Sequence, residues 1–456
     1  MTRHLSTSLL LLAFVPIVAQ STQNVVQESF TLSVTTTGLE YPWEITWGPD
    51  GHLWVTERTA KRVTRVNPVD GTKNIAVTIP EAFQSVAQDG VLGLALHPRL
   101  LQEVGEDYVY VAFTYQEDSR PRLKVRRFFY DSVTRTLESP VDLIVGLPAH
   151  DDHVAGRLAI GRDEKLYLTI GDQGSNWLQN HCNLNLAQDL PTASDVQARN
   201  WASYEGKVLR LNFDGSIPSD NPSIGGVRSH IFSYGHRNPQ GLAFALDGLL
   251  YASEHGPSTD DELNLIESGQ NYGWPLVAGY QDDQSYAYFN WSASRPESCD
   301  ALEFSTTEIP ASVPRKLETA WSHPDFQPPL QTFFTVPNDY DFVGQGGATI
   351  APSSLGIYTL REDGIPGWAD SLLVPGMIKG RLYRQKLSAD GRLAVGDPFE
   401  LFRTANRYRD VALNPNGRTI YIATDNAGRT TGRNGEMTEE LEHPGAIIQY
   451  TYDDQP

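Results

Sequence analysis

A histidine directly follows two aspartates in the segment Asp151-Asp152-His153. A carboxylate beside an imidazole can hold the ring in one tautomer and raise its basicity, which a general base requires. A histidine in a solvated loop would show the same three residues. The segment therefore indicates a candidate base, His153, with Asp152 as its carboxylate neighbour, and it leaves the ordinary loop as the alternative.

The segment 235–241 (GHRNPQG) combines a restrained backbone with hydrogen-bond donors. Its two glycines and its proline fix the path of the loop, while Arg237 and Asn238 offer a cluster of donors. Such a cluster suits a carboxylate, or a carbonyl oxygen that gains negative charge in a reaction. An ordinary turn closed by a salt bridge is the alternative.

The segment 406–410 (NRYRD) places Arg407 and Arg409 on either side of a tyrosine, and Asp425 ends the next predicted strand. Two guanidinium groups that flank an aromatic ring suit a planar polyanion, through bidentate hydrogen bonds and stacking. A surface arginine pair would look the same in the sequence.

The loop 254–262 (EHGPSTDDE) is rich in acidic residues next to a Gly-Pro pair. Carboxylate and carbonyl oxygens are the ligands that calcium prefers. Tyr272 and the segment 278–283 (AGYQDD) continue the supply of oxygen ligands. The sequence therefore indicates a calcium site here, and a solvated acidic loop is the alternative.

One sequence motif recurs along the chain and indicates which elements position these segments. It consists of an apolar stretch, a turn rich in Asp, Asn and Gly, and an alternating strand, which together predict a hairpin. A further strand often follows it. The copies lie at residues 47–57, 160–172, 244–256 and 413–425, with looser copies at 96–113 and 350–374.

A strand, a turn and two or three further strands make one blade of a β-propeller. The repeats therefore predict an all-β fold, a six-bladed β-propeller of four-stranded antiparallel blades, in one domain over residues 30–456. Two packed β-sandwich domains are the alternative. In a propeller the blade ends on one face converge on the central axis, which would bring the four segments together.

The charge balance excludes two classes of partner. The chain of 456 residues holds 36 Lys and Arg against 56 Asp and Glu, so its formal net charge is −20. Nucleic acids and anionic membrane surfaces are bound by clustered Lys and Arg. We therefore expect no nucleic-acid partner and no attraction to an anionic membrane surface.

The N-terminus predicts export. Arg3 and His4 precede an apolar run at 9–19 that small residues follow, which is typical of a signal peptide, here residues 1–21, and of a secreted or periplasmic protein. The run is about half a membrane span, so no membrane insertion is expected. A buried core segment is the alternative to a signal peptide. Cys182 and Cys299 leave room for one disulfide in an exported protein, and the sequence does not decide whether they pair.

The motifs GHRNPQGLAF, NYGWP, VAGY, APSS and NRYRDV together resemble the soluble quinoprotein glucose dehydrogenases and their aldose sugar dehydrogenase relatives. The resemblance runs from Pro42 to Tyr452. It implies a six-bladed propeller that binds pyrroloquinoline quinone (PQQ) and calcium. The implied reaction oxidises the C1 hydroxyl of aldose sugars, glucose and related mono- and disaccharides, to the lactone and passes the electrons to an external acceptor.

The resemblance also implies roles for residues of this chain. His153 matches the catalytic base of the family and Asp152 the carboxylate that assists it. Gln88 matches a residue on the substrate side, and Arg237 matches the residue that stabilises charge on the reduced quinone oxygen. The family's other cofactor contacts match Asn238, Arg407, Arg409 and Asp425.

For calcium, the resemblance implies two sets of ligands. The carbonyl groups of Gly256 and Pro257 match those that hold the ion on PQQ. Further calcium ligands of the family match Glu262, Tyr272, Ala278, Tyr280, Asp282 and Glu318. In dimeric members these further sites lie near the subunit interface, so the resemblance is compatible with a homodimer.

Two departures from the family pattern carry consequences. Ile378 stands where glucose dehydrogenases have a lysine that touches the cofactor, and Lys379, one position later, is the candidate replacement. Gly347 stands where some members place a tryptophan over the sugar, which predicts a wider pocket and broad aldose specificity.

Two other functions stay open on the sequence alone. A calcium-dependent propeller lactonase would need no quinone, but it would give Arg407 and Arg409 no evident role. An extracellular binding propeller without catalysis would be compatible with Ile378, but Asp152, His153 and Arg237 are all present.

Overall fold

The computed structural model describes residues 28–85 and 88–453, and nearly all of its regular structure is β-strand. Six four-stranded antiparallel sheets form the blades of a propeller, as the repeats predict. The first strands of neighbouring blades pack against one another around the central axis, except that the first strand of blade 6 meets the second strand of blade 5.

Each blade runs from an innermost strand at the axis to an outermost strand at the rim. In that order, blades 1 to 3 comprise Pro42–Trp47, Leu53–Glu57, Arg62–Val66, Lys73–Thr78; Val91–Leu96, Tyr108–Glu117, Arg120–Asp131, Thr136–Pro148; and Ala155–Ile160, Leu166–Ile170, Lys207–Leu211, Ile231–Tyr234. Blades 4 to 6 comprise Pro239–Phe244, Leu250–Glu254, Asp261–Ile266, Gln331–Phe333; Gly356–Tyr358, Ser371–Gly376, Arg381–Leu387, Ala394–Leu401; and Tyr408–Leu413, Thr419–Thr424, Ile447–Tyr452, Phe30–Thr36.

Blade 6 closes the ring because it joins the two ends of the described chain. Its outer strand Phe30–Thr36 pairs antiparallel with Ile447–Tyr452, with Phe30 opposite Tyr452. The ring of strands is thus held by backbone hydrogen bonds at its seam, which leaves no gap between the first and last blades.

The aspartate in the turn of the repeat ties neighbouring strands together. In blade 1, Asp50 accepts a hydrogen bond from Trp54 Nε1 at 3.1 Å and from Arg65 Nε at 2.8 Å. In blade 3, Asp163 accepts one from the hydroxyl of Tyr167 at 2.9 Å. These contacts explain why the sequence motif recurs, since the turn residue also fixes the strands that follow it.

Burial follows the layers of the propeller. The second strands Leu53–Glu57, Leu166–Ile170 and Leu250–Glu254 are buried along their whole length, because neighbouring blades cover both of their faces. The outer strand Lys73–Thr78 is largely exposed. The apolar core therefore lies between the blades, and the axis is left to polar side chains.

Outside the blades, residues 28–85 and 88–453 form only short elements. They are the α-helix Ala193–Ala198, the 3₁₀ turns Leu178–Asn180, Ala202–Tyr204, Trp291–Ala293, Cys299–Ala301 and Glu318–Ala320, and the strand pairs Ser223–Ile224 with Val227–Arg228, Tyr288–Phe289 with Arg315–Lys316, and Thr430–Thr431 with Met437–Thr438. Within the described ranges, no helix has the length and apolar character needed to cross a membrane. The predicted signal peptide lies outside the described residues.

A disulfide joins two of the long insertions. Cys182, between the second and third strands of blade 3, is bonded to Cys299, between the third and fourth strands of blade 4. The pairing that the sequence left open is therefore present in the structure.

We expect the double variant Cys182→Ser/Cys299→Ser to lose about 2–5 kcal/mol of unfolding free energy. The bond closes a loop of 117 residues in sequence, and a cross-link over a long loop restricts the unfolded chain most. Urea denaturation of the oxidised parent and the variant measures the difference, and coincident unfolding curves would contradict it.

Candidate active site

One face of the propeller collects the segments that the sequence analysis singled out. In each blade the first strand begins opposite the end of the second, as in the pairs Ala155 with Ile170 and Pro239 with Glu254. The loops that enter first strands and those that leave second strands therefore share this face. His153, Arg237, Arg407 and Asp425 all lie in such loops.

His153 is buried, with 6% of its surface exposed, and its backbone is in the left-handed region at φ 45°. Its Nδ1 lies 2.7 Å from Oδ1 of Asp172, while its Nε2 lies 3.8 Å from Oδ1 of Asp152. An ionised carboxylate accepts a hydrogen bond, so Asp172 fixes the proton on Nδ1 and leaves the lone pair on Nε2. The ring is thus arranged as a base at Nε2.

Asp172 is fully buried and accepts hydrogen bonds from several donors. Besides the His153 ring, it accepts from the backbone N–H of Gly174 at 3.0 Å, Nδ2 of Asn185 at 3.0 Å and Nε1 of Trp274 at 2.7 Å. These donors compensate the burial of an ionised carboxylate. They also fix its orientation towards the ring.

The sequence analysis did not single out Asp172, although a signal was present. The second strand of four repeats runs into an acidic residue, and the structure places each of these acids on the site face. They are Glu57, Asp172, Glu254 and Asp425. The role predicted for Asp152 stays a prediction, because its carboxylate contacts the backbone N–H of His153 at 3.0 Å rather than bonding to the ring.

Gln88 links Asp152 to the next loop around the axis. Its Nε2 donates to Oδ1 of Asp152, and its Oε1 lies 3.5 Å from Nδ2 of Asn238. Asn238 in turn accepts from Nε2 of Gln240 at 3.0 Å. The structure therefore brings Gln88, Asp152 and Asn238 together in one network beside His153.

Arg237 is 6% exposed and lies next to Asp172, whose backbone N–H donates to the Arg237 carbonyl at 2.8 Å. Its Nη1 donates to the carbonyl of His255 at 3.2 Å, and its guanidinium lies 5.3 Å from the ring centre of Trp274 and 6.0 Å from that of Trp177. Its Nε is buried without a hydrogen-bond partner, and so is Nε2 of His255. Burial lowers the pKa of His255 well below its ordinary value, and the charge of Arg237 lowers it further.

Three arginines surround one carboxylate at the junction of blades 6 and 1. Arg409 binds Asp425 with two hydrogen bonds, of 3.0 and 2.8 Å, and Nε of Arg407 lies 3.3 Å from the same group. Burial would raise the pKa of Asp425, but the charges of Arg409, Arg407 and Arg58 outweigh it and lower that pKa. The cluster of Arg58, Arg407, Arg409 and Asp425 thus carries an excess of positive charge.

Arg58 was missed by the sequence analysis, although it directly follows the first repeat. Its Nη1 donates to the carbonyl of Asp89 at 3.1 Å, which spans from blade 1 to the loop before blade 2. Burial lowers the pKa of Arg58, and the charge of Arg409 lowers it further. Buried like charges of this kind are stabilised by a bound anion.

Lys379 packs against an aromatic ring. Its ammonium is 5.4 Å from the ring centre of Phe334, at the junction of blades 4 and 5. Burial lowers its pKa, as does the charge of Arg381, while Glu400 opposes them. Its predicted contact with a cofactor stays a prediction.

The loop of Gly256 and Pro257 gathers carbonyl oxygens. A side chain on Gly256 would collide with the carbonyl oxygens of Thr259 and Asp260, so only glycine fits. Asp261 fixes the loop by accepting from the Gly256 N–H at 2.9 Å. Burial raises the pKa of Asp260 and of Asp261, each to about 6. The carbonyl oxygens of this loop lie close together, and the raised pKa values show that negative charge on the two neighbouring carboxyl groups is disfavoured. Such a group of oxygens fits a hard cation such as calcium.

The further residues that are predicted to bind calcium lie beside this loop. Glu318 is fully buried and accepts from the backbone N–H groups of Ala278 and Asp283, both at 2.9 Å. Burial raises its pKa to about 7, and Asp282 contributes to the rise. Burial also raises the pKa of Glu262 well above its ordinary value.

The remaining predicted ligands are held by hydrogen bonds. The carbonyl of Tyr280 accepts from the N–H of Asp282 at 2.9 Å, and the hydroxyl of Tyr272 donates to the carbonyl of Leu265 at 2.5 Å. Within the described ranges, the only group of three His, Cys, Asp or Glu side chains with ligand atoms within 4.8 Å of one another consists of His181, Cys182 and Cys299. Two of these three residues form the disulfide. The predicted carboxylates therefore need carbonyl oxygens to complete a site.

Comparison with known protein families shows to which family this chain belongs. The family described as Glucose / Sorbosone dehydrogenase matches residues 39–313 and 339–432, which include His153, the arginine cluster and the acidic loop. The chain belongs to this family. This match confirms the resemblance of the sequence motifs, and the six four-stranded sheets of the structure confirm the predicted fold.

Three relatives illustrate the family's range. Quinoprotein glucose dehydrogenase B of Acinetobacter calcoaceticus is 41% identical over 455 aligned residues, which cover 96% of this chain and 95% of the relative. Aldose sugar dehydrogenase YliI of Escherichia coli (strain K12) is 28% identical, covering 85% and 88%. The PQQ-bound structure of an aldose sugar dehydrogenase from Streptomyces coelicolor has a TM-score of 0.64 at 26% identity, covering 93% of this chain and 99% of that one.

If the acidic positions of this family member bind calcium, removing the ion with a chelator should lower the melting temperature. The buried carboxylate of Glu318 then has no cation to balance it, and a ligand that binds only the folded state adds about 2.7 kcal/mol at a hundred times its Kd. We expect Glu318→Gln to reduce the shift by at least half in calorimetry. The exposed Glu308→Gln is the matched control, and an equal calcium shift in all three proteins would contradict the assignment.

Proposed function

We propose that the protein is a PQQ- and calcium-dependent dehydrogenase that oxidises the C1 hydroxyl of aldose sugars to the lactone and passes the electrons to an external acceptor. The observation that carries the proposal is the pairing of a fixed base with an unpaired arginine donor on one face. His153 is held by Asp172, while the buried Nε of Arg237 has no hydrogen-bond partner.

The residues present fit an anionic quinone. The excess positive charge of Arg58, Arg407 and Arg409 around Asp425 suits the carboxylates of such a molecule. The unpaired Nε of Arg237 can donate to a quinone oxygen as that oxygen gains charge. The chemistry that bound PQQ would supply is the acceptance of two electrons from the sugar.

The work of the chain is to move a proton and to orient the sugar. Nε2 of His153 takes the proton of the C1 hydroxyl, which favours departure of the C1 hydrogen with its electron pair. The network of Gln88, Asp152 and Asn238 lies within reach of hydroxyl groups on that side. The carboxylate of Asp172, which is bonded to Nδ1, stabilises the imidazolium that forms.

Calcium would be held by the carbonyl groups of Gly256 and Pro257, and there it would act as a Lewis acid on the quinone oxygens. The further ligands Glu262, Tyr272, Ala278, Tyr280, Asp282 and Glu318 would hold structural calcium. Support comes from the crowded oxygens of the Gly256 loop and from the raised pKa of Glu318, about 7.

Reconstitution tests the proposal against its alternatives. Purified apoprotein receives PQQ and calcium, and reduction of a dye is followed with glucose as substrate. Sugar-dependent reduction that requires both additions is expected. Lactone hydrolysis without the quinone would favour a lactonase, and failure to bind the quinone at all would favour a binding propeller.

Broad sugar specificity is a further expectation. Gly347 is exposed and lies close to Ser258, and a glycine contributes no ring to that part of the face. Without an aromatic cover we expect kcat/KM values for a panel of mono- and disaccharides to fall within about a hundredfold of glucose, or about 2.7 kcal/mol. A stricter preference would contradict a wide pocket.

Export and assembly complete the proposal. We infer that residues 1–21 are cleaved, that the protein acts outside the cytoplasm, and that two copies form a homodimer. The disulfide between Cys182 and Cys299 supports export, because such bonds persist in oxidising compartments. N-terminal sequencing of the secreted protein and sedimentation of the purified protein test these points.

A further inference from the structure

An aromatic cleft of about 170 Å³ lies next to the active site. Its walls come from the insertions of blades 3 and 4 and from the segment that connects blades 4 and 5. The aromatic residues that line it include Trp177, Trp274, Tyr286, Phe304 and Phe342. Of the described residues assigned to the sugar oxidation, only Pro257 lines the cleft.

The disulfide and ring contacts hold the cleft in shape. The ring centre of Phe304 lies 5.3 Å from that of Trp177 and 5.2 Å from that of Trp291. Cys182 and Cys299 pack into the same apolar cluster as Trp291 and Phe304. Because the bond joins the two insertions that form the walls, the cleft is preformed, which lowers the entropic cost of binding.

Three of the polar side chains that line the cleft are already engaged. Asn176 donates to the carbonyl of Phe289 at 2.8 Å and accepts from the N–H of Trp291 at 2.9 Å. The hydroxyl of Ser285 donates to backbone carbonyls, and that of Tyr286 donates to the carbonyl of Pro275 at 2.7 Å. Most of the other lining residues are aromatic or apolar, so a sugar ring would lose hydrogen bonds to water and replace few of them, whereas a flat aromatic molecule would lose few.

The cleft shares a wall with the groups that perform the redox chemistry. Trp177 and Trp274 line the cleft and also flank the guanidinium of Arg237. Trp274 donates to Asp172, the partner of the base. Pro257 lines the cleft as well. A molecule in the cleft is thus separated from the reacting groups by single side chains.

We propose that this cleft binds the external electron acceptor, and that the acceptor is a planar aromatic compound of the quinone class. The inference rests on the proposed function. In balance, oxidation of the sugar at C1 releases two electrons and two protons. The quinone takes up both electrons and both protons and leaves as the hydroquinone.

Binding is tested first, without turnover. Menadione, a naphthoquinone, is titrated into the holoenzyme in the absence of sugar while tryptophan fluorescence is followed. We expect saturable quenching that Phe304→Ala weakens at least tenfold in Kd. Phe129→Ala removes a ring on the outer side of blade 2, where 36% of the side chain is exposed, and serves as the matched control. Equal Kd values in all three proteins would overturn the proposal.

Filling the cleft gives a second variant that does not disturb packing. Thr306 is exposed and lies at the rim, so Thr306→Trp adds bulk without removing a contact of the core. The kcat/KM for menadione is compared with that for ferricyanide, a hydrophilic anion that has no use for an aromatic cleft. We expect both Phe304→Ala and Thr306→Trp to lower the ratio of menadione to ferricyanide at least tenfold.

The outcomes separate this inference from the proposed function. Sugar-dependent reduction of ferricyanide with an unchanged ratio in both variants would overturn the acceptor site and leave the dehydrogenase standing. Absence of sugar oxidation with either acceptor would overturn the proposed function, while the quenching titration still reports on the cleft. Displacement of menadione by maltose would show that the cleft takes a second sugar ring and would also overturn the proposal.

Discussion

Replacing His153 by glutamine reduces kcat for aldose oxidation by about 10²–10⁴-fold, the usual contribution of a positioned base. Glutamine keeps a polar side chain of similar reach but cannot accept the proton of the C1 hydroxyl at neutral pH. Asp172 and Asp152 remain in place on either side of it. The measurement is steady-state kinetics of the reconstituted protein at saturating sugar.

A neighbouring histidine offers the control for this substitution. His150 lies three residues earlier, and its side chain is about two-fifths exposed, at 39%. It belongs to the same loop but has no contact with Asp172. We expect His150→Gln to stay within twofold of the parent. Turnover of His153→Gln within tenfold of the parent would remove His153 as the base.

The fold could be predicted from the sequence because its repeats are local. A blade can be recognised in the sequence by a turn residue such as Asp50 or Asp163. The hydrogen bonds of this residue to nearby strands lie within one sheet. The closure by Phe30–Thr36 is different, because this strand carries no turn of its own and takes its place only through pairing with Ile447–Tyr452. Such non-local pairing leaves no mark in the periodicity.

The site was predicted in part, for the same physical reason. Segments that carry their chemistry in consecutive residues, such as Asp152 with His153, are visible in the sequence. The contact between His153 and Asp172 joins two loops of one blade, and the approach of Arg58 to Asp425 joins blades 1 and 6. These depend on how loops converge at the axis, which the spacing of residues alone does not specify.

The aromatic cleft is a further feature that the sequence alone does not predict. Trp177 and Phe304 are more than a hundred residues apart and come from insertions that have no repeat pattern. The pairing of Cys182 with Cys299 joins the same two insertions. Both contacts depend on the paths of irregular loops, and no local propensity determines those paths.

Replacing Asp172 by asparagine is the second substitution with a large expected effect, a fall in kcat of at least about 10²-fold. All four partners of the carboxylate are donors: the His153 ring, Gly174, Asn185 and Trp274. An amide has only one acceptor atom, so its NH₂ group must face a pair of these donors. One side of the network is broken in either orientation.

Each orientation has a distinct consequence. With NH₂ towards His153, the amide donates to Nδ1, the proton moves to Nε2 and the base is lost. With NH₂ towards Trp274 and Asn185, the tautomer is kept, but buried donors lose their acceptor, at a cost of about 1–3 kcal/mol in stability. In both cases the negative charge that stabilises the imidazolium is gone.

The comparison with Asp152→Asn decides which carboxylate supports the base. Asp152 contacts the backbone N–H of His153 and the side chain of Gln88, and its distance from Nε2 is 3.8 Å. An amide oxygen can replace the carboxylate in accepting from Gln88, so we expect kcat to fall by less than tenfold and the effect to appear mainly in KM. Asp172→Asn should do the reverse, lowering kcat while KM for the sugar stays within about twofold, because Asp172 is buried beneath the ring. If Asp152→Asn caused the larger loss in kcat, the polarising carboxylate would be Asp152, and the hydrogen bond of Asp172 to Nδ1 would serve only to hold the ring in place.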